Sequence, residues 1–191
     1  LKRDTQEIDL VRYQTCYALR EGSVAAPTAG LHFTEREFSD IDRRGILRDK
    51  LCLHVGAGTF MPVKSEYIAD HTMHSEPFEV SLDFLRRLRS ASRGDVIAVG
   101  TTSTRCLESL YYIGVHIIET GEPGEVEQWE PYRDGGYPYS LDESLDAVIG
   151  YIASRGESRI VSRTRIIIIP GFRFRVIKYL VTNFHQPQST P

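Results

Sequence analysis

Val96-Ile97-Ala98-Val99 runs into Gly100-Thr101-Thr102-Ser103-Thr104-Arg105, and few folds accommodate that junction. Four apolar, largely β-branched residues read as a short buried strand. The glycine permits a sharp exit, and the hydroxyl residues open a helix predicted over Ser103 to about Tyr112. Strand, tight loop and helix in that order belong to α/β architectures, which place ligands where strands release their loops. Free N–H groups and the positive end of the helix dipole favour an anion at such a turn, and Arg105 can add a forked ion pair. A carboxylate or a phosphate fits equally well. The alternative is that the hydroxyls only cap the helix, with Arg105 on the surface.

The remaining pattern extends the same class. Thr34 with Glu37 forms a capping box for a helix near 34–44, closed by Gly45. Ile46 to Val55 reads as a strand entering Gly56-Ala57-Gly58-Thr59. Ser81 caps a helix through Leu82, Leu85 and Leu88 that ends at Gly94. Leu141 to Ser154 is helical, with Leu145, Val148, Ile149 and Ile152 on one face. Arg165 to Ile169 reads as a doubly buried central strand stopped by Pro170-Gly171, and Tyr179 to Thr182 returns to the sheet. Between Val115 and Gly136 five glutamates alternate with glycine and proline, which reads as an exposed excursion. The expected fold is an α/β layered domain with a mixed, largely parallel sheet flanked by helices. It is one domain over 1–191, incomplete at its ends, with an acidic insertion at 115–160.

Bulk properties exclude several classes. A chain of 191 residues, 41% hydrophobic and 26% charged, has the composition of a soluble domain, and its longest strongly apolar run, Ile166 to Ile169, cannot span a bilayer. Cys16, Cys52 and Cys106 are widely spaced and odd in number, which fits a reducing cytoplasm. The net charge of −3 argues against indiscriminate attraction to nucleic acid. Yet of the 23 basic residues only Lys2, Lys50, Lys64 and Lys178 are lysine; the other nineteen are arginine, which suits phosphate forks and base stacking. Solvated helix faces explain any single arginine cluster as well.

Five of the six histidines lie in chemically dense stretches. His71 and His74, three apart with Glu76 beyond, fit one side of a helical turn. Acid–base work, a structural role and a metal are all open to them, but the His-Glu-x-x-His zincin pattern is missing. His32, His54 and His185 stand at loop edges, with Phe33, Phe60 and Phe184 beside them as core residues or stacking surfaces. No Walker loop, kinase set or Gly-x-Ser-x-Gly elbow occurs, and Gly56-Ala57-Gly58 lacks the third glycine of a dinucleotide fingerprint.

Taken in series, Arg12 to Thr15, Ala26 to Phe33, His54 to Phe60, Asp70 to Glu76, Val99 to Ser103 and Thr182 to His185 resemble the S-adenosylmethionine:tRNA ribosyltransferase-isomerase family of queuosine biosynthesis. The resemblance implies transfer of the ribosyl part of S-adenosylmethionine to 7-aminomethyl-7-deazaguanine in tRNA. Epoxyqueuosine forms, with release of adenine and methionine, and no metal or further cofactor takes part. It also implies a mixed-sheet α/β domain joined to a small β-barrel that precedes these stretches. The barrel and the C-terminal continuation are missing here, and residues 115–160 look longer and more acidic than in typical members.

On that basis His54, His71, His74 and His185 supply the base and the acid. Thr28, Gly30, His32, Phe33, Gly56, Gly58, Thr59 and Phe60 enclose the nucleoside, and Glu76 and Asn183 are further substrate-binding residues. Gly100, Thr101, Thr102, Ser103 and Arg105 hold the methionine carboxylate. The expected partners are S-adenosylmethionine and tRNA, with no membrane, for a cytoplasmic monomer. Two other readings stay open: transfer from S-adenosylmethionine to a different acceptor, and a non-catalytic RNA-binding module.

Overall fold

The structure, a computed structural model, describes residues 15–16, 27–53, 67–91 and 95–184. Within them lie four α-helices, α1 (Glu35–Arg43), α2 (Leu82–Ala91), α3 (Thr101–Thr120) and α4 (Leu141–Ser154), and six strands, β1 (Cys52–Leu53), β2 (Glu76–Ser81), β3 (Ile97–Val99), β4 (Glu125–Val126), β5 (Arg159–Thr164) and β6 (Tyr179–Val181). Four strands form a sheet in the order β1-β2-β5-β4, and β3 pairs with β6. β1–β2 and β2–β5 run antiparallel, while β4–β5 and β3–β6 run parallel, so the layered, mixed α/β arrangement is the expected one.

Side-chain alternation sets the layers. Glu76, Phe78 and Val80 of β2 and Ile160, Ser162 and Thr164 of β5 are buried, whereas Arg159, Val161 and Arg163 are exposed. The buried face packs with Phe84, Leu85 and Leu88 of α2, Leu107, Leu110 and Ile113 of α3, and Leu145, Val148 and Ile152 of α4. Each large apolar side chain removed from water contributes about 1.5–3 kcal/mol. Helix starts follow the sequence signals: Thr34 with Glu37 and Ser140 with Glu143 form complete capping boxes, and Ser81 Oγ accepts from Phe84 N at 3.1 Å.

Three expectations are corrected. The strand predicted from Ile46 is reduced to Cys52–Leu53 among the described residues, and residues 46–51 make no ladder. The apolar run at Ile166–Ile169 is not the central strand. The ladder takes Arg159–Thr164 instead, because alternation lets that segment face the helices on one side and water on the other. Ile166 and Ile167 are still buried beyond it, and the backbone continues beside β4 through Arg165 N to Val126 O at 3.0 Å and Ile167 N to Gln128 O at 3.4 Å.

Residues 115–136 do not stand away from the domain as an exposed excursion. α3 continues to Thr120, Val115 and Val126 are fully buried, and β4 joins the main sheet. The glutamates are tied in: Glu130 Oε1 meets His116 Nε2 at 2.7 Å and Tyr137 Oη at 3.2 Å. What is exposed lies mainly at the end of α3, from Ile118 to Glu122, and in the turn from Arg133 to Gly136.

α3 and α4 approach closely because residue 114 is glycine. A Cβ there would stand 2.2 Å from the backbone oxygen of Ser144, far inside contact distance. Gly114→Ala is expected to force the helices apart and, despite alanine's better helix propensity, to cost about 1–3 kcal/mol in a chemical denaturation series.

His116 anchors the following turn with both ring nitrogens, Nδ1 to Pro123 O at 2.8 Å and Nε2 to the Glu130 carboxylate. Both partners are acceptors, so this geometry is made by the doubly protonated ring. The Glu130 hydrogen bond raises its pKa, burial opposes the rise, and the Pro123 carbonyl supports it. The contribution is therefore complete below the unfolded value of about 6.5 and is lost as pH climbs through the raised folded value. Urea midpoints should fall with pH in that window, and His116→Gln should flatten the fall.

Candidate functional site

β3 and β6 lie side by side and parallel, Val99 opposite Val181, so both release their following loops at the same end. Gly100 N donates to Val181 O at 2.9 Å and locks the two exits together. Gly100 then turns with φ +96° and ψ 145°, a conformation side-chain-bearing residues avoid, and α3 begins at Thr101. Among the described residues no side chain caps this 20-residue helix. Among the described residues nothing accepts from the backbone N–H groups of Thr101, Thr102 and Ser103. The hydroxyls therefore do not serve as the helix cap, and the positive end of the dipole stays open at the sheet's edge.

A 3-10 turn, Thr28–His32, lies against this point: Ala29 Cβ would be 3.8 Å from a Cβ built on Gly100, and Ala29 and Gly30 are buried. Asn183, two residues past β6, joins the turn to the sheet. Its Nδ2 donates to Thr28 Oγ1 at 2.7 Å, and its Oδ1 meets His32 Nε2 at 2.6 Å. An amide oxygen can only accept, so His32 carries its proton on Nε2 in this pairing. The opposite nitrogen, Nδ1, makes no hydrogen bond among the described residues, and the ring is exposed. The structure thus brings together Thr28, Gly30, His32, Asn183 and the Gly100–Ser103 turn.

A second cluster sits one helical turn further along α3. Arg105 is not a free fork: its Nη1 pairs with Glu76 Oε2 at 2.9 Å and its Nε donates to Ile166 O at 3.0 Å, with both side chains buried. Its Nη2 is buried without a partner. The two residues expected to touch substrate are joined to each other, where they tie α3 to the start of β2. Arg105 lies about 6 Å along the helix axis from Thr101.

His71 and His74 do not share a face of a helical turn. His71 has extended backbone, φ −78° and ψ 125°, and burial alternates along 71–75, which sends residues three apart to opposite sides. The segment is held by Gln128, whose Oε1 accepts from Met73 N at 2.9 Å and whose Nε2 donates to His71 O at 2.6 Å. Phe33 stacks on Phe38 at 5.7 Å and belongs to the packing of α1. A hollow of about 470 Å³ beside it is lined by Thr15, Cys16, Leu31, Phe33, Thr34, Glu35 and Arg36, and shares only Phe33 with the expected site. His54, Gly56, Gly58, Thr59, Phe60 and His185 lie outside the described residues.

The model of a family described as "Queuosine biosynthesis protein" matches residues 1–191. The chain belongs to this family. Curated relatives named S-adenosylmethionine:tRNA ribosyltransferase-isomerase include one from Ralstonia pickettii (strain 12J), 42% identical over 100% of this chain and 42% of its own length. Others come from Nitrosospira multiformis, 41% identical over 100% of this chain and 46% of its own length, and from Halothermothrix orenii, 44% identical over 95% of this chain and 42% of its own length. The chain spans less than half the length of these relatives. No solved structure matches it.

Two residues of this family member matter to the site and carried no sequence signal. Gln128 is one polar residue in an acidic stretch. Glu108, fully buried in α3, accepts from Arg175 N, Val176 N and Ile177 N at 2.8–3.0 Å and so fixes the turn leading into β6 and Asn183. Burial pushes its carboxyl pKa up, against the pull of those three N–H groups.

Glu76→Ala would leave the Arg105 guanidinium buried without its counter-charge. The expected loss is about 3–5 kcal/mol of stability, with Glu76→Gln losing less, measured by denaturant unfolding.

Proposed function

We propose that this chain forms the α/β part of an S-adenosylmethionine:tRNA ribosyltransferase-isomerase. Such an enzyme transfers the ribosyl moiety of S-adenosylmethionine to 7-aminomethyl-7-deazaguanine in tRNA, giving epoxyqueuosine and releasing adenine and methionine. The observation that carries the reading is the convergence of an oriented histidine and an uncapped helix terminus at one strand end, in a chain whose longer relatives bear that name. In this proposal the enzyme works as a cytoplasmic monomer, with S-adenosylmethionine as substrate and without a metal.

The chemistry suits the parts. A carbon attached to a sulfonium is acidified by the adjacent positive charge, so a neutral imidazole can take its proton, leaving the electron pair on carbon to drive ring opening and adenine loss. His32, with Nε2 committed to Asn183, offers Nδ1 for this step. The N–H groups of Thr101, Thr102 and Ser103 face an anion such as the methionine carboxylate. With Arg105 tied to Glu76, the helix terminus takes the carboxylate and Arg105 holds α3 to β2 beneath it. Proton transfer by His54, His71, His74 and His185, and enclosure of the nucleoside by Thr28, Gly30 and the 56–60 loop, complete the proposal.

The test is incubation of the natural polypeptide with tRNA and S-adenosylmethionine, followed by adenine quantification and mass spectrometry of the nucleosides. Epoxyqueuosine is expected; adenine release without modified tRNA would point to another acceptor, and no turnover would refute the reading. His32→Ala should lower turnover about 10²–10⁴-fold, and near-normal turnover would remove it from proton transfer. Asn183→Ala, which frees the ring without deleting it, should lie between the two.

A further inference from the structure

A run of four aromatic rings crosses the surface beside the Ile166–Ile169 segment. Trp129 and Tyr132 have ring centroids 5.8 Å apart, Tyr132 and Phe172 6.0 Å, and Phe172 and Phe174 5.0 Å, each pair tilted by 59–69°. Both ends are open to water, Trp129 being 38% and Phe174 48% exposed. The ring in the middle is fixed: Tyr132 Oη donates to Ile167 O at 3.0 Å and accepts from Ile169 N at 2.9 Å. None of these residues is needed for the chemistry above, and large aromatics held rigid at a surface are a recurring mark of a docking face.

The charges around the run select the kind of partner. Arg133 and Arg173 are exposed and form no ion pair among the described residues, Arg133 lying over the Tyr137 ring at 5.1 Å. The neighbouring acids are taken: Glu130 by His116, and Glu125 and Glu127 by Arg165. Asp134 and Glu119 are left in the open. Rigid rings fringed by unpaired guanidinium groups match unstacked bases joined by phosphates, whereas an apolar protein face would leave both arginines without partners.

Position supports the same partner. Ser109 Oγ donates to Thr164 Oγ1 at 2.7 Å and Arg105, one turn earlier on α3, reaches Ile166 O, so the chain leaving β5 runs back toward the helix N-terminus. We propose that the Trp129–Tyr132–Phe172–Phe174 run, with Arg133 and Arg173, is the platform on which an RNA loop stacks its bases while presenting one nucleotide to the site. This rests on the functional reading above and adds to it where the RNA lies.

The experiment compares binding of an RNA stem-loop and of a fully paired duplex to the natural polypeptide and its variants, by fluorescence anisotropy. Trp129→Ala and Phe174→Ala should each weaken stem-loop binding about tenfold and leave duplex binding unchanged. Phe174→Leu, which keeps apolar bulk against Phe172, should weaken it as well with an unaltered melting temperature. Arg173→Ala should reduce the slope of log K against log salt by about 0.7. Wild-type affinity in all four variants overturns the platform, as does loss of affinity only in variants that have lost stability. A change in sedimentation of the RNA-free protein, with RNA affinity intact, overturns it in favour of a second copy of the chain. Modified tRNA from the wild type beside unchanged variant binding would sink the platform alone; absence of adenine release and of RNA binding in the wild type would sink the functional reading too.

Discussion

Twelve consecutive residues of α3, Thr104 to Val115, are buried, and a helix enclosed on all sides has to find partners for every polar group it carries. Most are met from other segments, Arg105 Nη2 being the exception. Arg105 takes Glu76 and the Ile166 carbonyl, Glu108 takes the 175–177 turn, Ser109 takes Thr164, and Tyr111 Oη donates to Tyr139 O at 2.8 Å. Glu108 and Tyr111 thus peg segments that have no regular structure of their own, while Arg105 and Ser109 tie the helix to β2 and β5. The cost of burying charge is offset by hydrogen bonding, and what results is a defined path for the chain on every side of the helix.

That arrangement explains which parts of the molecule were legible. The capping box at Thr34 and the periodicity of Leu141–Ser154 are local, and the helices stand where those signals put them. The Gly100 junction was legible for the same reason: a strand exit with that backbone needs glycine whatever surrounds it. Ile166–Ile169 misled because hydrophobicity reports burial and not ladder formation, and a core offers burial to irregular chain as well. The glutamates from Glu122 to Glu130 misled in the opposite sense, since each looked solvated until His116, Arg165 and Tyr151 supplied partners from other elements.

The site divides along the same line. Residue types were informative: Thr28, His32, Asn183 and the Gly100–Ser103 turn do converge. Roles depended on pairings that sequence does not display. Arg105 and Glu76 look like ligand contacts until they are seen to neutralise one another. His32 looked like a wall of the pocket until Asn183 was seen to set its tautomer. Helical spacing suggested a joint role for His71 and His74, and extended backbone separates them.

Asn183 contacts residues 155 and 151 positions earlier in the chain, Thr28 and His32. Closing so long a span is entropically slow, and it requires β6 to have found β3 first. During synthesis α3 and its buried ion pair can assemble while the imidazole still turns freely, for the amide that orients it has yet to emerge. The His32–Asn183 pairing is therefore made late, and a nascent or nicked chain holds the Thr28–His32 turn without the amide that orients its imidazole.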